Sequence, residues 1–312
     1  MRSTESRIKG AILGLACGDY MGTPFEFHTA EIVNYFLDKH TLQPQVTARG
    51  DSNQIGFYTD DTAMTLCLAE SLIEKGFDVQ DQFTRYKKWC YEGYMSADGK
   101  KAYGVGQNTL DKMLFQKDNE IPSIIANQPK EGGNGSLMRC LPVGLVYYQD
   151  INEIVDKSIK SSIVTHNNEV AVWSCVIFNT FVSYCLHNKD KAEFLSALEQ
   201  ETFYDQIPKE LTEMIGGIGT KKYEELLPRG YSLNTLEIAL WCFLNKDDFE
   251  SAIESSIRLG GDTDTQAAVL GGLAGAYYGF ESIPNSWHLQ VMNKEKIYEI
   301  VEKLQNINHF QP

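Results

Sequence analysis

The segment that most constrains the fold is a run of small residues that begins at Thr265. Ala267, Gly271 and Gly275 recur every four residues, so they fall on one line of a helix. The line beside it is equally small and consists of Ala268, Gly272 and Ala276. Because such a surface lets a second helix approach closely, the pattern predicts a central helix that is almost completely buried.

Helical periodicity also dominates the rest of the chain. Apolar residues at 249–257 repeat at intervals of three and four, whereas strand signals are short and weak. A chain of 312 residues is long enough to fold as one large domain. We therefore predict a single, compact all-α domain over residues 1–312, with long irregular loops at 41–57 and 93–107.

Composition argues against several classes of function. With 28 basic and 42 acidic residues, the net charge of −14 leaves no surplus for binding nucleic acid or an anionic membrane. The seven cysteines form no CxxC pair and no zinc-type cluster, as is typical of buried thiols in a reducing compartment. No apolar run reaches the ~20 residues of a membrane-spanning helix, and 266–280 comes nearest. We expect a cytoplasmic protein and a monomer.

Two carboxylate clusters each precede a helix, TDDT at 59–62 and GDTDT at 261–265. Aspartate and threonine are good helix caps, so capping alone explains either cluster. Each cluster nevertheless supplies two acids where a cap needs one, and crowded carboxylates repel unless a cation lies between them. Oxygen ligands favour hard cations such as Mg²⁺ or Mn²⁺, so the two clusters can meet around a site for two magnesium ions.

Three further elements carry candidate functional residues. Glu26 follows Pro24 among aromatic residues, an unusual place for a solvated acid. The glycine-rich stretch 132–136 leads towards a helix and can point backbone N–H groups at an anion. His166 begins another helical stretch. Each also has an ordinary structural interpretation, namely a surface acid near a turn, a tight turn and a structural histidine.

These five elements, in this order, resemble the ADP-ribosylglycohydrolase family, which includes dinitrogenase-reductase-activating glycohydrolases and ADP-ribosylarginine hydrolases. The matching segments extend from Arg7 to Trp287 and are RIKGAILGLACGDYMGTPFE, YTDDTAMTLCLAESL, GGNGSLMRCLPVGL, THNNE and LGGDTDTQAAVLGGLAGAYYG, with IPNSW after them. Any one motif is weak, whereas the ordered set is specific. GYSLNTLEIALWCF is closer to the arginine-type bacterial branch.

The resemblance implies an all-helical fold with the site in a cleft between loops. It implies hydrolysis at the anomeric carbon of a ribose attached to a protein side chain, so that the partners are an ADP-ribosylated protein and ADP-ribose. Two Mg²⁺ ions would be held by both acid clusters and Glu26, that is, by Glu26, Thr59, Asp60, Asp61, Asp262, Asp264 and Thr265. ADP-ribose would contact Gly133, Asn134, Gly135, Ser136 and His166. We expect Glu26 to activate the attacking water, with Asp61 as the alternative base.

One position departs from the family pattern. Many arginine-type members carry Phe-Asp-Ile-Gly where this chain has YGVG at 103–106, so Gly104 replaces an acid. Three hypotheses therefore stay open. We favour a hydrolase of arginine-linked ADP-ribose over a hydrolase of O-linked forms, such as serine-linked ADP-ribose or O-acetyl-ADP-ribose. The third is a metal-dependent ADP-ribose-binding or immunity protein, but the intact acid clusters favour an enzyme.

Overall fold

The computed structural model describes residues 2–49, 52–117 and 120–307. Within these ranges the chain forms fifteen α-helices, short 3₁₀ turns and one β-hairpin. The helices are α1 (Thr4–Gly22), α2 (Ala30–Leu37), α3 (Asp60–Lys75), α4 (Val79–Glu92), α5 (Gln107–Phe115), α6 (Leu141–Val146), α7 (Ile151–Ser162), α8 (Glu169–Leu186), α9 (Phe194–Leu198), α10 (Lys209–Gly217), α11 (Ser232–Asn245), α12 (Phe249–Ile257), α13 (Thr263–Tyr278), α14 (Asn285–His288) and α15 (Lys294–Ile307). The hairpin pairs β1 (Val46–Arg49) with β2 (Ser52–Ile55).

The prediction of an all-α fold is confirmed, and the hairpin is its exception within the described ranges. The two strands are antiparallel, with Val46 opposite Ile55 and Arg49 opposite Ser52. They lie in the stretch 41–57, which the sequence predicts to be irregular. Backbone N–H and C=O groups need partners, and a long loop can satisfy them by pairing with itself over a segment too short to show a strand pattern.

The core is organised around the antiparallel pair α1 and α13. A Cβ atom on Gly14 would lie 2.3 Å from the carbonyl oxygen of Gly271, and one on Gly18 would lie 1.9 Å from that of Ala267. These distances are shorter than any real Cβ contact, so the two backbones touch and only glycine fits at these points of α1. Because α13 is buried from Thr263 to Ala276, the prediction of a central buried helix is confirmed.

Helix α8 corrects the expectation about apolar runs. It is the one helix in the described residues that is long and apolar enough to cross a membrane, and 94% of it is buried inside the protein. The prediction that 266–280 comes nearest to such a helix is therefore wrong; in the sequence, Ser174 and Asn179 interrupt the apolar run of α8. Such burial is typical of a core helix in a globular domain.

The pairing of α1 with α13 brings several helix ends together. Because the two helices are antiparallel, the C-terminal end of α1 lies beside the N-terminal end of α13, where Thr263 Oγ1 donates a hydrogen bond to the carbonyl of Gly22. Near the same end of α1, Asp19 accepts hydrogen bonds from Thr59 and Thr62 at the start of α3. Both acid clusters are therefore held at one end of the α1–α13 pair.

Candidate active site

The two acid clusters and Glu26 converge. Asp60 and Asp61 lie in the first turn of α3, and Asp264 lies in the first turn of α13. Oxygen atoms from the carboxylates of Glu26, Asp262 and Asp264 all lie within 4.8 Å of one another. The structure thus brings together acids that are about two hundred residues apart in the sequence.

The converging carboxylates raise one another's pKa. Burial raises the pKa of Asp61 well above its ordinary value, and the charges of Asp19, Asp60 and Asp262 raise it further. Burial likewise raises the pKa of Asp264, followed by the charges of Asp61 and Asp262. A bound cation would reverse this effect, because it stabilises the ionised form of each acid.

Helix capping does not explain either cluster. Thr59 precedes α3 and Asp262 precedes α13, yet neither side chain makes a capping hydrogen bond to its own helix. Among the described residues, the buried Oδ1 atom of Asp61 has no hydrogen-bond partner. A buried acceptor without a donor, surrounded by carboxylates and hydroxyls, fits a hard divalent cation.

Asp19 is a functional residue to which the sequence analysis assigned no role. Its fully buried carboxylate accepts hydrogen bonds from the backbone N–H and the hydroxyl of Thr59, at 3.0 and 2.9 Å. It accepts two more from Thr62, at 3.0 and 2.6 Å. Asp19 therefore caps α3 from α1 and fixes the segment that carries Asp60 and Asp61. The available signal was a single acid within the otherwise uncharged stretch 10–22 of this helix.

A cavity of about 280 Å³ opens beside the acids. Five of the seven predicted metal ligands, including Glu26, and four of the five predicted substrate-binding residues are on its wall. Thr59 and Asp61 are buried behind that wall. A larger cavity of about 690 Å³ adjoins it at Asn108 but contains none of the clustered acids. The predicted residues on the wall are Glu26, Asp60, Asp262, Asp264, Thr265, Gly133, Gly135, Asn134 and His166.

The glycine-rich stretch differs from the expected arrangement. It does not enter a helix, since residues 134–139 form turns and α6 begins only at Leu141. The backbone N–H of Asn134 donates to the carbonyl of Gly230 at 3.2 Å, so it is not aimed at an anion. The side-chain Nδ2 of Asn134 donates to Asp262 Oδ2 at 2.6 Å. Asn134 thus connects the glycine-rich loop to the second acid cluster.

Gly135 and Ser136 have different surroundings. A Cβ atom on Gly135 would lie 2.7 Å from Cε1 of His166, so the loop packs against the imidazole where glycine is required. Ser136 is buried behind the cavity wall, and its hydroxyl accepts a hydrogen bond from Ser162 at 2.7 Å. Ser136 does not line the cavity in this structure, and its contact with ADP-ribose stays a prediction.

His166 is held neutral and in a fixed position. Burial, followed by the charges of Arg139 and Lys112, lowers the pKa of His166 well below its ordinary value. Its Nδ1 atom shares a hydrogen bond of 2.8 Å with Thr165 Oγ1. Arg139, for which the sequence predicted no role, is buried and donates to the carbonyl of Gly135 and to Thr165 Oγ1, at 2.8 and 2.7 Å. Arg139 therefore joins the glycine-rich loop to His166.

Gly104, the position that departs from the family pattern, packs directly on the first cluster. Its φ of +77° lies in the left-handed region, and a Cβ atom there would lie 2.3 Å from Asp60 Oδ1. An aspartate does not fit this backbone without displacing Asp60. In this chain the backbone at position 104 therefore lies against Asp60 where the family pattern has an acidic side chain.

Comparison with known proteins identifies the family to which the chain belongs. The model of the ADP-ribosylglycohydrolase family matches residues 1–310. The chain belongs to the ADP-ribosylglycohydrolase family. As a member, it is a hydrolase of ADP-ribosyl compounds, and the resemblance found in the motifs is confirmed.

Several relatives of this glycohydrolase match over most of their length. ADP-ribosylarginine hydrolase Tri1 from Serratia proteamaculans (strain 568) is 30% identical over 303 residues, which are 96% of this chain and 78% of the relative. ADP-ribosylhydrolase ARH3 from Homo sapiens is 26% identical, over 97% of this chain and 93% of the relative. A solved structure described as an ADP-ribosylglycohydrolase-related protein complex superimposes with a TM-score of 0.76 at 29% identity, covering 98% of this chain and 99% of the other.

Proposed function

We propose that this protein is a magnesium-dependent hydrolase that removes ADP-ribose from modified arginine side chains of proteins. The observation that carries the proposal is the single cavity in which Glu26 and acids of both clusters face the glycine-rich loop and His166. The similarity to the ADP-ribosylarginine hydrolases from Serratia proteamaculans and Pseudomonas putida, each 30% identical, supports the arginine linkage.

The donor set fits two Mg²⁺ ions, and Mn²⁺ is chemically equivalent for such oxygen ligands. When bound, the ions would neutralise the crowded carboxylates and orient ribose hydroxyls and a water molecule. The N-terminal ends of α3 and α13 add positive partial charge that favours the diphosphate of the substrate. We assign as metal ligands Glu26, Thr59, Asp60, Asp61, Asp262, Asp264 and Thr265.

Glu26 is better placed than Asp61 to accept a proton from water, because Glu26 lines the cavity and Asp61 lies behind its wall. In the proposed reaction, the water oxygen bonds to the anomeric carbon while the carbon–nitrogen bond to the guanidine breaks. Glu26 takes one proton of the water, and the guanidinium, which is already protonated before cleavage, leaves with the bonding electron pair as neutral guanidine and needs little further acid assistance. The free guanidine then takes up the released proton. The neighbouring carboxylates stabilise the positive charge that develops on the ribose ring.

The glycine-rich side of the cavity would hold the nucleotide. Gly133, Gly135 and the neutral imidazole of His166 line this side. Asn134 holds the loop in a fixed position relative to the acids through its hydrogen bond to Asp262. ADP-ribose thus spans from the loop to the carboxylates, with the scissile bond at the acid end.

A second candidate function is hydrolysis of an O-linked form, such as serine-linked ADP-ribose or O-acetyl-ADP-ribose. Two observations favour it, namely the similarity to ADP-ribosylhydrolase ARH3 and the glycine at position 104. The absence of a side chain at Gly104 changes the cavity wall next to Asp60. This part of the cavity wall differs from the arginine-type pattern.

The test is to incubate the purified protein with Mg²⁺ and arginine-, serine- and glutamate-linked ADP-ribosylated substrates. We expect release of ADP-ribose from the arginine-linked substrate. Release from the serine-linked substrate alone would support the second candidate. Tight ADP-ribose binding with no release from any substrate would identify a binding or immunity protein instead. The monomeric state and the cytoplasmic location stay predictions, which gel filtration and cell fractionation can check.

A further inference from the structure

Phe27 combines two properties that do not help the protein to fold. Its side chain is 80% exposed to solvent, and its φ of +61° lies in the left-handed region. A bulky residue in that region is a genuine outlier, and an exposed aromatic ring gains nothing from burial. Phe27 also lines the candidate active site, directly after Glu26. A strained, exposed ring at the mouth of a cavity is explained by contact with a ligand.

The surrounding backbone holds Phe27 in this conformation. The N–H of Phe27 donates to the carbonyl of Gly261 at 2.7 Å, and the N–H of Gly261 donates to the carbonyl of His28 at 2.8 Å. An antiparallel bridge between Thr29 and Gly260 extends this pairing. Gly261 immediately precedes Asp262, so the position of Phe27 is fixed relative to the second acid cluster.

These contacts place Phe27 at the acid end of the cavity. Its neighbour Glu26 shares a carboxylate cluster with Asp262 and Asp264, whose oxygens lie within 4.8 Å of its own. The proposed function puts the scissile bond at this end and the nucleotide against the glycine-rich loop. The group beyond the anomeric carbon, next to Phe27, would then be the arginine side chain that carries the ADP-ribose.

The chemistry of the two groups is complementary. A guanidinium is planar, weakly hydrated and positively charged, and it stacks favourably on the face of an aromatic ring. The alkyl stem of arginine can pack against the same ring. A serine-linked substrate offers neither feature.

We infer that Phe27 is a specificity-determining residue that contacts the guanidinium and stem of the ADP-ribosylated arginine. This inference rests on the proposed function. Phe27 selects the modified side chain, whereas Glu26 and the acid clusters act on the bond itself. Removal of the ring should therefore impair recognition of the arginine side chain while leaving ADP-ribose binding intact.

The experiment compares the wild-type protein with Phe27→Asn, Phe27→Tyr and Tyr35→Ala. Asparagine tolerates a positive φ, so the first variant removes the ring without imposing new strain. Tyrosine retains the ring. Tyr35 is 67% exposed on α2 but does not line the cavity, which makes it the matched control. The two readouts are kcat/KM for a short peptide carrying ADP-ribosylarginine and the calorimetric affinity for free ADP-ribose.

We expect Phe27→Asn to lower kcat/KM by roughly tenfold, mainly through KM, as loss of a cation–π contact predicts. Phe27→Tyr and Tyr35→Ala should stay near the wild-type values, and the ADP-ribose affinity should not change in any variant. A wild-type kcat/KM in Phe27→Asn would overturn the inference, as would an equal loss of ADP-ribose affinity. Failure of the wild-type protein itself to cleave the peptide would contradict the proposed function instead.

Discussion

At the scale of single residues, a substitution of Asp19 tests how the first acid cluster is held in position. Asp19→Asn places an amide donor where the backbone N–H groups and hydroxyls of Thr59 and Thr62 need an acceptor. We expect a loss of about 2–4 kcal/mol in the free energy of unfolding, because a fully buried network loses its acceptor. The thermal stabilisation by Mg²⁺ should also decrease, since Asp60 and Asp61 lose their support.

Denaturant unfolding and magnesium titration monitored by melting temperature provide the measurements for Asp19. Asp205→Asn is the control, because Asp205 is an exposed residue far along the chain from either cluster. If Asp19→Asn unfolds like the control and keeps the full response to Mg²⁺, Asp19 does not position the cluster.

Substitutions at Gly104 test whether glycine is required at this position, where the family pattern has an acid. Gly104→Ala adds a Cβ atom 2.3 Å from Asp60 Oδ1 on a backbone with positive φ. We expect it to destabilise the fold by about 1 kcal/mol or more and to lower turnover. Gly104→Asp should lower turnover further, because it adds a like charge beside Asp60.

The pair of Gly104 variants separates the steric effect from the charge effect, with melting temperature and turnover of the arginine-linked substrate as readouts. An increase in turnover for Gly104→Asp would mean that the position can accommodate the family's acid, which would contradict the close packing of Gly104 on Asp60.

At the scale of the elements, the contact between α1 and α13 determines whether the site assembles. A Cβ atom on Gly271 would lie 2.1 Å from the carbonyl oxygen of Gly14, whereas one on Gly272 would first meet the end of the Leu141 side chain at 3.3 Å. Gly271→Ala should therefore separate the two helices, lower the melting temperature markedly and reduce turnover. Gly272→Ala should be neutral or stabilising by up to about 1 kcal/mol, because alanine is a better helix former. Equal melting temperatures for the two variants would contradict the close approach.

A second inter-helix contact predicts a pH dependence of stability. Glu70 of α3 accepts hydrogen bonds from Arg85 of α4, Tyr94 and Lys296 of α15. Burial raises the pKa of Glu70, but the hydrogen bonds from Tyr94 and Lys296 and the charge of Arg85 outweigh it, so the net pKa is lowered. A lowered folded-state pKa contributes stability above the unfolded pKa of 4.5 and loses it as the pH falls through the folded value.

We therefore expect Glu70→Gln to be less stable than the wild-type protein at pH 7, with a difference that narrows as the pH falls below about 4.5. The measurement is urea unfolding between pH 3 and pH 7. Glu74→Gln is the matched control, since Glu74 also pairs with Arg85 but has a half-exposed side chain and should change stability little. A difference for Glu70→Gln that does not depend on pH would show that the ionised carboxylate is not what stabilises this contact.

At the scale of the whole molecule, local patterns predicted the parts of the fold that depend on near neighbours in sequence. The small-residue spacing identified α13 as a buried central helix, and the two acid clusters were recognisable because each supplies more acid than a cap requires. Roles that depend on contacts between distant segments were not accessible. Asp19 and Arg139 act through partners 40 and 26 residues away along the chain, and the Ser136 side chain faces Ser162 instead of the cavity.

The central claim is that the converging acids hold Mg²⁺ and that Glu26 then promotes hydrolysis of arginine-linked ADP-ribose. Single-turnover hydrolysis of an arginine-ADP-ribosylated protein tests it most directly, with EDTA-dialysed wild-type protein and Glu26→Gln, before and after Mg²⁺ is restored. We expect no release of ADP-ribose without Mg²⁺, recovery of the wild-type rate when Mg²⁺ is added, and a rate roughly two to four orders of magnitude lower for Glu26→Gln. Full activity in excess EDTA, or a near-normal single-turnover rate for Glu26→Gln, would contradict it.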